Sequence, residues 1–294
     1  MAAIRAEALT KDYGNHRAIA ELNLEVAAGE IFGFLGPNGA GKTTTIRILL
    51  DLIRPTAGHV EVLGSEPRKG GPALRRRIGY LPGELTMEGR HTARDLLAFL
   101  GDQGAEPVAA GRITELADRL DLDLSKRVGA MSKGNKQKVG IVAAFMHRPD
   151  LLILDEPTSG LDPLLQQRFL DMVSEAKRDG QTVFMSSHIL SEVQQVADRA
   201  VIMRAGELLA TENVEELRRR SPRSVEFVVA EHPFPDDFAN LPNVTDLRVE
   251  GNTVRCTTEG EVDALFKVAA KYHLVSVLST EPDLEDIFFS RYRR

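Results

Sequence analysis

A run of eight residues fits the pattern of a phosphate-binding loop, because two glycines five positions apart are followed at once by a lysine and a hydroxyl residue. The run reads Gly36, Pro37, Asn38, Gly39, Ala40, Gly41, Lys42 and Thr43. Glycines allow the backbone to turn so that successive N–H groups point at one anion. The pattern predicts that Lys42 reaches the β- and γ-phosphates of a nucleotide and that the Thr43 hydroxyl takes a position on Mg²⁺. The alternative is a glycine-rich turn beside an exposed lysine, but the apolar run before it and the helical pattern after it favour the phosphate loop.

A pair of adjacent carboxylates, Asp155 and Glu156, ends an aliphatic run at residues 151–154. Four consecutive aliphatic residues predict a strand that is buried on both faces of a parallel sheet. Open α/β sheets bind their ligands at the carboxyl ends of such strands. Asp155 can hold Mg²⁺ through water, and Glu156, on the opposite side of the pleat, can polarise an attacking water molecule. The alternative is a solvated acidic turn, which the presence of a phosphate loop in the same chain disfavours.

Three further features each have a structural and a functional interpretation. Tyr13, in a polar loop at residues 11–17, either stacks on a nucleotide base or covers the edge of a hairpin. Ser132 fits a helix N-cap, and together with Gly134 it forms either a second anion site or simply the start of a helix. His188 follows an apolar strand and is either a helix cap or a catalytic group. The residues alone leave these alternatives open.

Strand and helix patterns alternate along residues 1–220, which predicts an α/β domain. Helical spacing dominates residues 85–130 and predicts a helical insertion in that core. Ser221 and Pro222 mark a boundary. Beyond it, short strands and two helices predict a small α+β domain over residues 221–294.

Hydrophobic periodicity also predicts particular elements. Two strands at residues 3–9 and 22–26 flank the polar loop, and another strand is expected at residues 76–81. Helices are expected at residues 213–220 and 284–291.

Composition limits the classes of protein that fit. The 294 residues can hold one large domain and a smaller one, and the 43% hydrophobic and 27% charged fractions are ordinary for a globular protein. The net charge of −6 argues against a general affinity for nucleic acid or anionic lipid. Cys256 is the only cysteine, which excludes an intrachain disulfide and fits a reducing compartment. The first residues lack the apolar core of a secretory signal, and the longest apolar run, residues 141–146, is far too short to span a bilayer. We therefore expect any membrane-spanning part to belong to another chain.

Taken together, these motifs resemble those of the nucleotide-binding subunit of ABC transporters, in the expected order over residues 1 to about 215. Residues 36–43 resemble the Walker A motif, residues 151–156 the Walker B motif with its catalytic glutamate, and residues 159–162 the D-loop. The resemblance implies a P-loop NTPase of the ABC ATPase type. That fold has a mixed-sheet core, an antiparallel β subdomain and a helical subdomain at about residues 85–150, here followed by the small C-terminal α+β domain.

The resemblance also implies roles for individual residues. His188 falls at the switch histidine of the family and Tyr13 at its adenine-stacking aromatic. The implied catalytic residues are Glu156, His188 and Lys42. The implied metal-binding residues are Thr43, Asp155 and Glu84. The residues implied to bind ATP are Tyr13, Gly36, Pro37, Asn38, Gly39, Ala40, Gly41, Lys42, Thr43, Thr44, Ser132, Gly134 and Asp162.

Two segments depart from the family pattern. The signature, usually Leu-Ser-Gly-Gly-Gln, reads Met-Ser-Lys-Gly-Asn at residues 131–135, so that Lys133 could add a cation near the γ-phosphate bound by the opposite subunit. This variant and the ending at residues 281–288 resemble the exporter branch that includes ATPases for antibiotic and drug efflux. Where the family has its Q-loop glutamine, this chain has Glu84, which would contact Mg²⁺ or the attacking water in its place. A carboxylate cannot donate a hydrogen bond as an amide does.

The resemblance therefore implies an ATPase motor that uses ATP and Mg²⁺. Two copies would enclose two ATP molecules as a homodimer and drive a separate transmembrane permease from the cytoplasmic face of the membrane, with no nucleic acid partner. One alternative is an ABC ATPase that acts on nucleic acid or ribosomes, which the acidic charge and the lack of a basic, aromatic stripe disfavour. Another is an importer ATPase whose C-terminal domain senses a ligand.

Overall fold

The structure is a computed structural model and describes residues 1–104, 107–214, 216, 222–239 and 241–280. The chain divides into two compact units, Met1–Glu212 and Asn213–Arg294. Each unit has its own sheet system and its own hydrophobic core, and each is described by itself.

The first unit is built on two sheets. Its strands are β1 (Ala2–Tyr13), β2 (His16–Ala27), β3 (Ile31–Leu35), β4 (Ala57–Val62), β5 (Ile78–Leu81), β6 (Leu151–Asp155), β7 (Thr182–Ser187), β8 (Arg199–Arg204) and β9 (Glu207–Asn213). An antiparallel sheet has the order β2-β1-β4, and a six-stranded sheet has the order β5-β6-β7-β3-β8-β9. In the six-stranded sheet, the five neighbouring strands β5, β6, β7, β3 and β8 run parallel to one another.

The helices of the first unit flank these sheets. They are α1 (Lys42–Leu49), α2 (Pro67–Arg75), α3 (Ala93–Gly101), α4 (Arg112–Arg119), α5 (Lys133–Phe145), α6 (Pro163–Arg178) and α7 (Leu190–Val196). Helix α3 begins with a capping box in which Thr92 and Asp95 satisfy each other's backbone N–H groups. Across the described part of the chain, every helix is too short or too polar to cross a membrane.

The central strands explain where the site forms. Every residue of β3, β6 and β7 is buried, as expected for strands covered on both faces of a parallel sheet. Phe32 on β3 stacks on Phe184 of β7 with ring centroids 6.0 Å apart, and Ile46 of α1 belongs to the same core. Because the three strands are parallel, their carboxyl ends meet at one edge of the sheet.

The second unit is an antiparallel sheet with two helices. Its elements are β10 (Pro222–Val229), α8 (Pro235–Ala239), β11 (Val244–Glu250), β12 (Thr253–Glu259), α9 (Asp263–Ala269) and β13 (Leu274–Thr280). The strand order is β11-β12-β10-β13. The core contains Phe227, Phe238, Leu265 and the buried Cys256, and burial raises the pKa of that thiol.

The predicted α/β class, with its antiparallel sheet, helical segment and C-terminal α+β unit, is confirmed, but some elements differ. The loop expected at residues 11–17 is the end of a longer hairpin, in which Tyr13 pairs with His16 and Asp12 forms an ion pair with Arg17 at 2.9 Å. Polar side chains pair across the two strands at this end of the hairpin, so the sequence there lacks the apolar alternation that would have predicted a strand.

The strand expected at residues 76–81 begins only at Ile78, because α2 ends at Arg75 and a turn follows. Helix α2 itself was not predicted, since Gly71 interrupts it with a φ of +54°. Most of the helix predicted at residues 213–220, and all of the one at residues 284–291, lie outside the described residues.

Candidate active site

The phosphate loop connects β3 to α1 and is held open by its glycines. Gly39 and Gly41 have φ values of +81° and +110°, a region that favours glycine. A Cβ on Gly41 would lie 2.5 Å from the Ala18 carbonyl oxygen, so no side chain fits there. Helix α1 begins at Lys42, which places its unpaired N–H groups at the same loop. The structure thus supplies the strand, loop and helix that the sequence motif requires.

Lys42 is 5% exposed and is surrounded by oxygen atoms. Its Nζ donates a hydrogen bond to the Gly36 carbonyl at 2.6 Å, and a longer one of 3.4 Å to the Pro37 carbonyl. The same Nζ lies 3.0 Å from Glu156 Oε1 in an ion pair. The ammonium group is therefore held at the loop by three oxygen atoms, and a bound anion would have to replace some of them as hydrogen-bond acceptors.

Asp155, at the end of β6, is 1% exposed and is held by two hydroxyl groups. Thr43 Oγ1 donates to Asp155 Oδ2 at 2.9 Å, and Ser186 Oγ on β7 donates to Oδ1 at 2.5 Å. Hydroxyl and carboxylate oxygens are the ligands that Mg²⁺ prefers, with substrate phosphates completing its shell. No group of three or more His, Cys, Asp or Glu side chains gathers as a metal site in the described ranges. The hydroxyl and carboxylate oxygens of Thr43 and Asp155 are of the type that fits a magnesium ion.

Glu156 connects Lys42 to His188. His188 Nδ1 lies 2.5 Å from Glu156 Oε2, and the backbone N–H of Glu156 donates to Ser186 Oγ at 3.1 Å. Glu156 has a φ of +48°, which an ordinary side chain rarely adopts. Its buried Oε1 lacks a hydrogen bond from any described residue, although it faces Lys42. Among the described residues, the Lys42 ammonium is therefore the polar group that faces this oxygen.

Residues of the phosphate loop and Glu156 line a pocket of about 250 Å³. Tyr13, which is 46% exposed, shares its wall with the phosphate loop, so the structure brings the aromatic ring to the site. Lys11 Nζ lies 5.0 Å from the centroid of the Tyr13 ring. The pocket is lined by Tyr13, His16, Ala18, Pro37, Asn38, Gly39, Gly41, Lys42, Thr43, Thr44 and Glu156.

The signature residues and the D-loop residue Asp162 lie elsewhere in the same chain. Ser132 caps α5 and accepts a hydrogen bond from the Asn135 N–H at 3.4 Å. Gly134 packs against the turn that follows Glu156, where a Cβ would lie 2.6 Å from the Gly160 carbonyl oxygen. Asp162 caps α6 by accepting from the Leu165 N–H at 3.0 Å. Ser132, Gly134 and Asp162 do not line the pocket.

Lys133 donates to Ser159 Oγ at 3.3 Å, so in the single chain this cation contacts its own D-loop segment. Glu84 follows β5 and has an exposed side chain. The residue beside Asp155 is Gly83, whose Cβ position would be 3.3 Å from Asp155 Oδ2. Within the described part of the chain, no hydrogen bond joins Glu84 to Asp155 or Thr43.

Three residues of the site were not predicted from the sequence. Ser186 holds both Asp155 and the backbone of Glu156. Gln137 on α5 is buried and donates to the Pro157 carbonyl at 2.8 Å. Glu192 on α7 is buried as well, and burial raises the pKa of its carboxyl group. The signal was present in part, because a polar residue at the end of a buried strand, such as Ser186, follows the same rule that singled out Asp155.

These features define a P-loop domain with the parts needed to bind and hydrolyse a nucleoside triphosphate. The family model described as "ABC transporter" matches residues 19–159. Bacitracin transport ATP-binding protein BcrA of Bacillus licheniformis is 39% identical over an alignment that covers 97% of this chain and 95% of that protein. Daunorubicin resistance ATP-binding protein DrrA3 of Streptomyces coeruleorubidus is 37% identical over 74% of this chain and 70% of that protein.

Solved structures show the same similarity. An ATP-binding subunit of an ABC transporter is 30% identical, with a TM-score of 0.67 over 74% of this chain and 92% of that one. A dimeric ATP-binding cassette with bound ADP and Pi, at 22% identity and a TM-score of 0.65 over 72% of this chain and 98% of that one, shows the shared fold. The chain belongs to the family of ABC transporter ATP-binding proteins, and it is an ATPase. The resemblance found in the sequence is confirmed.

Proposed function

We propose that this chain is the ATP-hydrolysing subunit of an ABC exporter and works as a homodimer on a separate membrane-spanning partner. The observation that carries the proposal is the contact of Glu156 with both Lys42 and His188 beside the phosphate loop. The exporter assignment is supported by similarity over nearly the full length to a protein named for bacitracin transport. The chain would then work at the cytoplasmic face of the membrane, where its partner spans the bilayer.

The residues of the pocket divide the chemistry among them. The loop N–H groups and Lys42 bind the phosphates, and the Tyr13 ring packs on the adenine. Thr43 and Asp155 would hold a Mg²⁺ ion, which supplies positive charge against the phosphate oxygens. Glu84 is exposed beyond Gly83, and a contact of its carboxylate with that ion remains part of the proposal.

Hydrolysis needs a water molecule aligned with the γ-phosphate. Glu156 accepts a hydrogen bond from this water and takes its proton as the oxygen bonds to the γ-phosphorus. The bond between that phosphorus and the β,γ-bridging oxygen breaks, and ADP and phosphate leave. His188, 2.5 Å from Glu156 Oε2, holds the carboxylate in this orientation.

The signature residues Ser132 and Gly134 and the D-loop residue Asp162 point to a second copy. Ser132, Gly134 and Asp162 lie outside the pocket of their own chain. We propose that they complete the site of a facing copy, so that each ATP is bound by the phosphate loop of one chain and the signature helix of the other. ATP binding and dimerisation are then thermodynamically linked.

The proposal is tested by purifying tagged Glu156→Gln protein with Mg-ATP from detergent-solubilised native membranes and identifying the bound chains by mass spectrometry. We expect a polytopic membrane protein in stoichiometric amount. The matched control is the same purification from membranes that contain the untagged variant, and it should yield no such membrane chain. Ribosomal proteins or nucleic acid in place of a membrane chain would overturn the transporter assignment.

A further inference from the structure

Glu192 is a buried carboxyl group close to the site but outside the pocket. It lies on α7 and is 6% exposed. Its Oε2 accepts a hydrogen bond from Thr158 Oγ1 at 2.8 Å and lies 3.2 Å from Ser187 Oγ, whose single hydrogen is shared between Glu192 and the Ile189 carbonyl oxygen at 3.3 Å. Its Oε1 is buried and has no hydrogen-bond partner among the residues that the structure describes. None of the chemistry described above uses this residue.

The two hydroxyl partners belong to the two segments that present Glu156 and His188. Thr158 lies two residues after Glu156, and Ser187 directly precedes His188. Ser187 Oγ also accepts the Ile189 N–H at 2.9 Å, which fixes the backbone on the other side of His188. One carboxylate oxygen therefore joins the turn after β6 to the end of β7.

A second contact restrains the same turn from another helix. Gln137 on α5 donates to the Pro157 carbonyl at 2.8 Å. Glu192 and Gln137 thus hold two adjacent residues, Pro157 and Thr158, from different elements. The Glu156 side chain is oriented by a turn that is fixed at both of these points.

Burial of a carboxyl group is costly unless its hydrogen bonds compensate. The other buried positions of α7 in this layer, Leu190 and Val193, are apolar. Burial raises the pKa of Glu192, and the nearby Glu156 carboxylate raises it further, while the hydroxyl groups of Thr158 and Ser187 lower it. An aliphatic residue would fill the space without this cost, so the hydrogen bonds are the feature that requires a glutamate.

We propose that Glu192 is a positioning residue for ATP hydrolysis, which sets the Glu156 carboxylate and the His188 imidazole relative to each other without contacting ATP. This inference rests on the roles proposed above for Glu156 and His188. It implies that Glu192 acts on kcat and leaves the affinity for ATP unchanged. A residue that merely stabilised α7 would change the melting temperature and not kcat.

The test compares variants in steady-state ATP hydrolysis and in ATP binding. Glu192→Leu keeps most of the volume and removes both hydrogen bonds, and we expect kcat to fall by about tenfold or more with KM and the ATP Kd unchanged. Glu192→Gln retains an acceptor oxygen for both hydroxyl groups, and it should restore most of the turnover. Gln195→Ala, an exposed change on the same helix, is the matched control and should have no effect.

Two double-mutant cycles separate positioning from general damage. Thr158→Val removes one hydroxyl group and should lower kcat. When it is combined with Glu192→Leu, the fold-decrease in kcat should be smaller than the product of the two single fold-decreases. In a His188→Ala background, Glu192→Leu should likewise lose most of its effect. If Glu192→Leu folds poorly, Thr158→Val alone still tests the inference, because it removes one of the two contacts and leaves Glu192 in place. An unchanged kcat in Thr158→Val would then count against the inference.

The outcomes are distinguishable. If Glu192→Leu leaves kcat unchanged while Glu156→Gln abolishes turnover, the inference on Glu192 is wrong and the proposed function stands. If ATP affinity falls in parallel with kcat, Glu192 does not act through Glu156 and His188. The same conclusion follows if Glu192→Leu lowers kcat by the same factor in the His188→Ala background as in the native chain. Full turnover in Glu156→Gln itself would overturn the catalytic assignment on which the inference rests.

Discussion

Lys42 is a buried cation whose contacts are all oxygen atoms. Carbonyl groups of the loop and the Glu156 carboxylate surround its ammonium group. A buried charge is tolerated when it is paired and hydrogen-bonded. This arrangement keeps the ammonium group at the phosphate loop before a nucleotide arrives, and a bound phosphate would replace part of its present set of oxygen partners.

Lys42→Ala should weaken ATP binding. A hydrogen bond to a charged group contributes about 1.5–3 kcal/mol, which corresponds to a rise in the ATP Kd of about ten- to a hundredfold. Isothermal titration calorimetry gives the Kd directly. Lys126→Ala, an exposed lysine outside the pocket, is the control. An unchanged Kd in Lys42→Ala would contradict the role given to Lys42.

Glu192→Gln should change how stability depends on pH. The pKa of Glu192 is raised above its ordinary value of 4.5 mainly by burial, so the folded chain keeps a proton that the unfolded chain releases. Stability is therefore lost as pH rises from 4.5 through the folded-state pKa, and this loss is absent in the glutamine variant. The stability of the variant relative to the native chain should grow over that window and then level off.

Urea denaturation at a series of pH values measures this difference. The other titrating groups are present in both proteins, so their contributions to the free energy of unfolding largely cancel in the difference. These groups include Glu156 and His188, which lie close to Glu192. A difference that stays constant from pH 4 to pH 8 would show that the carboxyl group titrates normally.

The site residues that could be predicted from the sequence are those that belong to a short, contiguous motif. Lys42 and Thr43 follow from the spacing of their own loop, and Asp155 from the aliphatic run before it. The strand-end rule marks the position of Ser186 but not its partners, and it gives no signal for Glu192, because these contacts depend on the register between β6 and β7 and on how α7 packs. Such contacts join residues about thirty positions apart and leave no local pattern.

At the scale of elements, the loop between β3 and α1 depends on two glycines for different reasons. Gly39 needs only its positive φ, since nothing lies within 4 Å of its Cβ position. Gly41 has both a positive φ and a Cβ position 2.5 Å from the Ala18 carbonyl oxygen and 2.6 Å from Met203 Cε. The tight approach ties the loop to β2 and β8.

Gly41→Ala should therefore destabilise the chain more than Gly39→Ala. Backbone strain alone costs about 1–3 kcal/mol, and overpacking at Gly41 adds about 1–3 kcal/mol more. Urea denaturation of both variants measures the difference, with each serving as the control for the other. Equal destabilisation would mean that the loop relaxes away from Ala18 at no cost.

The elements themselves were predictable where burial is complete. Continuous apolar runs identified β3, β6 and β7, because strands of a parallel sheet are covered on both faces. The ends of β1 and β2 were missed, since their polar residues pair across an exposed ribbon that lacks alternation. Helix α2 was missed because glycine and proline interrupt it.

At the scale of the whole molecule, Glu156→Gln should abolish turnover and stabilise an ATP-bound dimer. The amide cannot take the proton from water, so ATP persists between the two copies and holds them together. Size-exclusion chromatography with light scattering should show a dimer with Mg-ATP and a monomer with ADP. The control that also carries Lys42→Ala should stay monomeric. A monomer at every ATP concentration would count against the sandwich arrangement.

The strand order of the six-stranded sheet has a consequence for synthesis on the ribosome. Strand β3 carries the phosphate loop near the start of the chain, yet its sheet neighbours are β7 and β8, at Thr182–Ser187 and Arg199–Arg204. A nascent chain that ends before β7 has no partner for either edge of β3, and it also lacks Ser186 and His188. Because these pairings are so distant in sequence, they form slowly and late. We therefore expect nucleotide binding to begin only when most of the first unit has left the ribosome. Until then the apolar strand β3 is unpaired and prone to aggregate with other chains.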